Sequence, residues 1–153
     1  MKIIIGVDPG LSGGLAVKHP DSPAVAYKMP DTPKGIYELL KALKETYAGE
    51  LTSVVERVGF YRPGNSAVSA CKFARHCGSL EMALLALNIP IFYVVPNKWM
   101  KDTVGECPKE KGDRKRYIKE RMEQMYPHIK VTLDTADALG ILTYGLKNQQ
   151  ALP

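Results

Sequence analysis

A chain of 153 residues, 45% hydrophobic and 24% charged, has the size and balance of one globular domain around one core. Its net charge of +5 favours an acidic partner such as nucleic acid. Three cysteines in no CxxC pair argue against a zinc site or a disulfide framework. The absence of a transmembrane-length run or a signal-peptide pattern points to a soluble, cytoplasmic protein.

Residues 2–8 form a short β-branched run ending in Asp8, which reads as a buried strand, and Pro9-Gly10-Leu11-Ser12-Gly13 is a turn. Strands follow over 14–19 and 24–29, separated by the turn at 19–23, so the first three strands form an antiparallel meander. Thr32-Pro33 caps and opens a helix with an Ile36, Leu39, Leu40 and Leu43 stripe, closed by Gly49. A strand is expected over 51–58, with Glu56 near its end, followed by the loop Gly59-Phe60-Tyr61-Arg62-Pro63-Gly64-Asn65. Ser66 caps a long helix reaching about Leu87, and a strand spans 91–95. A short helix after Pro96 carries Trp99, Met100 and Lys101, and 105–113 is a polar loop. A basic helix is expected over 114–125, and a last helix begins at Asp134 as its N-cap. A meander leading into crossover units implies an α/β fold: a mixed five-stranded sheet with helices on both faces, in a single domain over 1–153.

The acids carry the chemistry. Asp8 and Glu56 each end or nearly end an apolar strand, and a buried carboxylate is costly unless paired or bound to a metal. Asp134 and Asp137, three apart, share one face of the last helix, where acids also serve as caps. Were the strands neighbours and the helix docked on them, four acids would converge. Such a cluster repels itself unless cations neutralise it, and hard oxygen donors select Mg²⁺ or Mn²⁺. Two such ions about 3.5–4 Å apart suit in-line phosphodiester displacement.

Three stretches, Ile5-Gly6-Val7-Asp8-Pro9-Gly10, Val54-Val55-Glu56-Arg57-Val58 and Asp134-Thr135-Ala136-Asp137-Ala138-Leu139, resemble the RuvC family of Holliday junction resolvases in their order and spacing. That family belongs to the RNase H-like, retroviral-integrase superfamily. The resemblance implies an RNase H-like fold and a homodimer that resolves four-way DNA junctions by symmetric paired nicking, leaving a 3′-hydroxyl and a 5′-phosphate. It implies two Mg²⁺ ions per site on Asp8, Glu56, Asp134 and Asp137, with Mn²⁺ able to substitute. Catalytic lysines correspond best to Lys101 and Lys115, with Lys109 and Lys111 close enough to compete for the second position. An aromatic in the loop after Glu56, Phe60 or Tyr61 beside Arg62, would stack on a junction base.

Nine Lys or Arg against five acids between Lys98 and Arg121 read as a phosphate track, with Lys101, Lys109, Lys111, Arg114 and Lys115 as DNA contacts. Lys72 and Arg75 line the polar edge of the 66–87 helix. Its apolar residues lie nearly all round, suiting burial against the sheet on one side and a second copy on the other. His19, His76 and His128 fit no metal-ligand spacing and read as surface residues. The rivals are a nuclease for flaps, forks or RNA–DNA hybrids, a catalytically silent junction-binding protein, and an actin-like ATP-binding fold, for which the chain is too short.

Overall fold

The computed structural model describes residues 2–47, 49–59 and 63–152. Five strands, β1 (Lys2–Asp8), β2 (Gly14–Lys18), β3 (Val25–Lys28), β4 (Glu50–Glu56) and β5 (Ile91–Val94), form one sheet in the order β3-β2-β1-β4-β5. β1, β2 and β3 pair antiparallel; β1, β4 and β5 run parallel. The expected mixed five-stranded sheet is therefore present. Five helices flank it: α1 (Pro33–Thr46), α2 (Ala67–Ala86), α3 (Pro96–Thr103), α4 (Lys111–Met125) and α5 (Leu133–Lys147). Among the described residues none is long and apolar enough to cross a membrane.

Strand alternation divides the core in two. Ile3, Ile5 and Val7 of β1 join Leu40 of α1 and Leu80 and Leu84 of α2 in one buried layer. Ile4 faces the other way, with Val54 of β4, into a layer built by Trp99, Leu139 and Leu142. By the same parity Gly6 and Asp8 of β1 and Glu56 of β4 belong to the α5 face. Gly6 sets how closely α5 approaches: a Cβ there would lie 2.4 Å from the Leu142 nitrogen and 2.5 Å from the Ala138 oxygen. Only a residue without a side chain lets α5 lie this low on β1.

Thr32 Oγ1 accepts the Gly35 N–H at 3.0 Å, and Ser66 Oγ accepts that of Ser69 at 3.1 Å, so both anticipated caps are in place. Three boundaries differ from expectation. β4 stops at Glu56 rather than Val58, where Tyr93 of β5 stacks under the Arg57 guanidinium 4.7 Å away. α4 begins at Lys111, three residues early, because the Glu110 carboxylate accepts the Asp113 N–H at 2.8 Å. α5 is capped by Thr132, not Asp134; the Thr132 N–H donates to Thr135 Oγ1 at 3.0 Å. A 3₁₀ turn at Gln149–Ala151 follows α5, unanticipated.

The long helix α2 buries His76, Leu80, Ala83 and Leu84 and leaves Val68, Met82 and Leu85 more than half exposed, so in a single chain its second apolar side is open. His76, expected at the surface, is buried.

Candidate active site

The acidic site sits at the carboxyl ends of parallel strands, the usual place for a ligand crevice in an open α/β sheet. Asp8 is the last residue of β1 and Glu56 the last of β4. The parallel register pairs Val7 with Val55, so the two acids follow side by side on neighbouring strands, on the face α5 covers. Close packing at Gly6 brings the first turns of α5 to the same end. Asp8, Glu56 and Asp137 line one pocket of about 340 Å³.

Basic residues line the same pocket. Once α4 starts at Lys111, Lys111, Arg114 and Lys115 stand at i, i+3 and i+4, on the stripe that continues into buried Ile118 and Met122. All three line the acidic pocket. The ion pairs of α4 lie elsewhere along it: Arg116 with Asp113 at 2.5 Å, and Lys119 with Glu123.

Burial holds the Asp8 carboxyl well above the ordinary Asp value of about 3.8. The negative charges of Asp137 and Glu56 push it further, Lys115 pulls it back, and Asp134 adds a smaller upward push. Asp137 is raised by burial and pulled down by Lys115 and Arg114. Glu56 is 9% exposed and accepts the indole N–H of Trp99 on Oε2 at 2.6 Å. A pocket of partly buried carboxylates whose charges oppose one another suits a hard divalent cation, whose arrival would relieve the repulsion. Among the described residues no three His, Cys, Asp or Glu side chains already stand in a metal-holding arrangement.

The remaining sequence candidates are distributed around this pocket. Asp134, freed from capping by Thr132, lies in an adjoining pocket that shares Pro9 and Ser12 with the first and contains Lys72. Its charge still reaches Asp8, whose carboxyl it helps to push up. Lys101 and Lys109 line a neighbouring cleft reached past Met100, and Arg114 borders both spaces. Of the two lysines expected at the scissile phosphate, the structure brings Lys115 to the acids and leaves Lys101 exposed next door. Arg75 points elsewhere, into the groove between α1 and α2 with Tyr37. Phe60, Tyr61 and Arg62 lie outside the described residues.

No protein-family model matches the chain, and no curated protein matches it. Solved structures do. The chain is similar to RuvC of Thermus thermophilus, with a TM-score of 0.65 and 17% identity over 97% of this chain and 96% of that one. It is similar to T. thermophilus RuvC in complex with a Holliday junction substrate, with a TM-score of 0.68 and 16% identity over 99% and 96%. The yeast mitochondrial Holliday junction resolvase superposes with a TM-score of 0.52 and 16% identity over 96% and 78%. This chain has the RuvC fold.

Within the RuvC fold of this chain, Trp99 is the site residue that sequence reasoning passed over. By sequence pattern it is one residue of a short helix after Pro96. A lone Trp is nonetheless a signal, because its N–H needs a partner once the ring is buried, and a carboxylate on a buried strand needs a donor.

Proposed function

We propose that this chain is an endonuclease for branched DNA, four-way junctions foremost, that hydrolyses phosphodiester bonds with Mg²⁺, Mn²⁺ substituting. The observation that carries this reading is the meeting of Asp8, Glu56 and Asp137, from three distant chain segments, in one pocket facing Lys111, Arg114 and Lys115. The junction resolvases that share the fold support the choice of substrate.

In this reading Asp8, Glu56 and Asp137 would hold two divalent ions, with Asp134 on the adjoining pocket as the fourth acid. Divalent ions held there would supply an activated water and charge relief at the departing oxygen. The basic wall of α4 seats the phosphate, and Lys115 places its positive charge where negative charge develops on the phosphoryl group. The water oxygen bonds to phosphorus and the bond to the 3′ oxygen breaks, leaving a 3′-hydroxyl and a 5′-phosphate. Lys101 and Lys109 extend the phosphate track outward, and Lys72 extends it on the Asp134 side. Phe60, Tyr61 and Arg62, in the loop that follows Glu56 in sequence, complete the DNA contacts.

Symmetric nicking needs two copies. The uncovered side of α2, with Val68, Met82 and Leu85, is the surface for a two-fold homodimer. This reading goes with work in the cytoplasm of a bacterial cell or a phage-infected host.

The decisive experiment incubates the protein with a synthetic four-way junction, a flap, a fork and an RNA–DNA hybrid under identical salt and Mg²⁺. Paired nicks in the junction that disappear in EDTA, and that Asp8→Asn reduces more than about 100-fold, are expected, since even outer-shell changes at metal sites cost 10–100-fold. Junction binding in EDTA with no cleavage of any substrate in Mg²⁺ would instead identify a silent binding protein, and wild-type nicking by Asp8→Asn would refute the site.

A further inference from the structure

A carboxylate at the end of a strand has two side-chain torsions to settle before it can receive a cation, and a terminal sp³–sp² torsion is broad. In this chain Trp99 constrains them for Glu56. The Trp99 indole, 1% exposed, donates its Nε1–H to Oε2 at 2.6 Å, a short charge-assisted hydrogen bond inside the protein. The ring is itself fixed. Gly140 of α5 lies against its six-membered edge: a Cβ at 140 would stand 2.5 Å from Cζ3 and 3.1 Å from Cε3. Gly140 is three residues beyond Asp137, so the helix that carries one acid also wedges the residue that orients another. At its other end Trp99 belongs to α3, where the Thr103 hydroxyl donates to the Trp99 carbonyl at 2.7 Å.

We infer that Trp99 is a positioning residue. Its N–H fixes the Glu56 carboxylate for the divalent cation, and Gly140 keeps the indole in register with Asp137. This rests on the nuclease reading for its consequence in activity, but the contact and its effect on cation binding can be measured without DNA. Outer-shell donors to ligating carboxylates are worth 10–100-fold in metal affinity. Their loss is felt at the cation and not at the nucleic acid, which separates a positioning role from a general folding role.

The sequence makes the test direct, since Trp99 is the single tryptophan and intrinsic fluorescence reports on it alone. In metal-free protein without DNA, Glu56→Gln should shift the emission of Trp99, and titrating Mg²⁺ should shift the wild-type emission but not that of Glu56→Gln. Trp99→Phe, which keeps a ring against Gly140 and removes the donor, should raise the Mg²⁺ concentration for half-maximal nicking about tenfold. Calorimetric titration of Mg²⁺ into the same variant without DNA should show the same weakening. Its junction affinity in EDTA should stay within about twofold of wild type.

An emission spectrum indifferent to both Glu56→Gln and Mg²⁺ would overturn the inference, even if Trp99→Phe failed to fold. So would a folded Trp99→Phe with an unchanged Mg²⁺ requirement. A purely structural Trp99 would lower the melting temperature and leave that requirement where it was. Wild-type protein that nicks no branched DNA would defeat the nuclease reading. Fluorescence and calorimetry would still judge Trp99.

Discussion

The two faces of β1 are made of alternate residues of one strand and do opposite things. Ile3, Ile5 and Val7 pack into a dry layer under α1 and α2. One residue over, Ile4, Gly6 and Asp8 begin as core, pass through a position that tolerates no side chain, and end in a carboxylate at the pocket. The lesson is that the acidic site is an interruption of a hydrophobic strand on one parity only. The opposite face supplies the stability that lets the interruption persist.

The sharpest way to break that contrast is at Gly6. Gly6→Ala forces a methyl into the backbone of α5, at a cost of about 3 kcal/mol, and should separate Asp137 from Asp8. Thermal melting and nicking should both fall, and a variant that melts like wild type would show that α5 does not press on β1 as described. Next in size, Lys115→Ala removes a pocket cation and should weaken junction binding about tenfold while lowering the salt dependence by about one phosphate contact. Filter binding across a salt series measures both.

On the dry face, Ile5→Val should cost about 1 kcal/mol with nicking rates unchanged, as expected of a methyl lost from core. Lost activity there would mean that the faces are not independent.

The smallest effect concerns pH. The Asp8 carboxyl holds its proton more tightly folded than unfolded. Below about pH 3.8 both states are protonated and there is no cost. As pH rises from there to the raised folded value, the unfolded chain releases the proton first and stability falls, and above the folded value the loss is complete. Asp137 acts in the same sense. Metal-free Asp8→Asn should therefore melt about 2–4 °C above wild type at pH 7 while losing nicking, the shift expected for about 1 kcal/mol in a chain of this size. Differential scanning calorimetry in EDTA decides it; a lower melting point for Asp8→Asn would contradict the electrostatic account.

Much of this architecture was legible in the residues. Period-two runs and turn chemistry placed the strands, and Thr32 and Ser66 announced their helices because a hydroxyl that accepts an amide hydrogen leaves a recognisable local pattern. What failed was where several capping groups compete. Asp134 has the chemistry of a natural cap for α5, but Thr132, two residues earlier, takes that position and bonds Thr135. Glu110 started α4 from within a stretch whose glycine and charges read as loop, which moved Lys111 onto the pocket face. The grouping of Asp8, Glu56 and Asp137 followed from strand parity and motif order. The placement of Lys101 and Lys109 along a neighbouring cleft, and of Asp134 on an adjoining pocket, did not, because it depends on how helices are rotated, which spacing alone leaves open. The bond between Trp99 and Glu56 joins residues 43 apart, and no local pattern reports it.

The dependence of the pocket on α5 has a consequence during protein synthesis. Residues 133–147 are near the end of the described chain, yet they form the lid of β1 and contribute Asp137. A nascent chain still threaded in the ribosome has β1 and β4 available but no helix to press on Gly6. The pocket therefore cannot assemble until α5 has left the ribosome, and a product cut short before residue 133 carries two of its three acids and lacks Asp137 altogether.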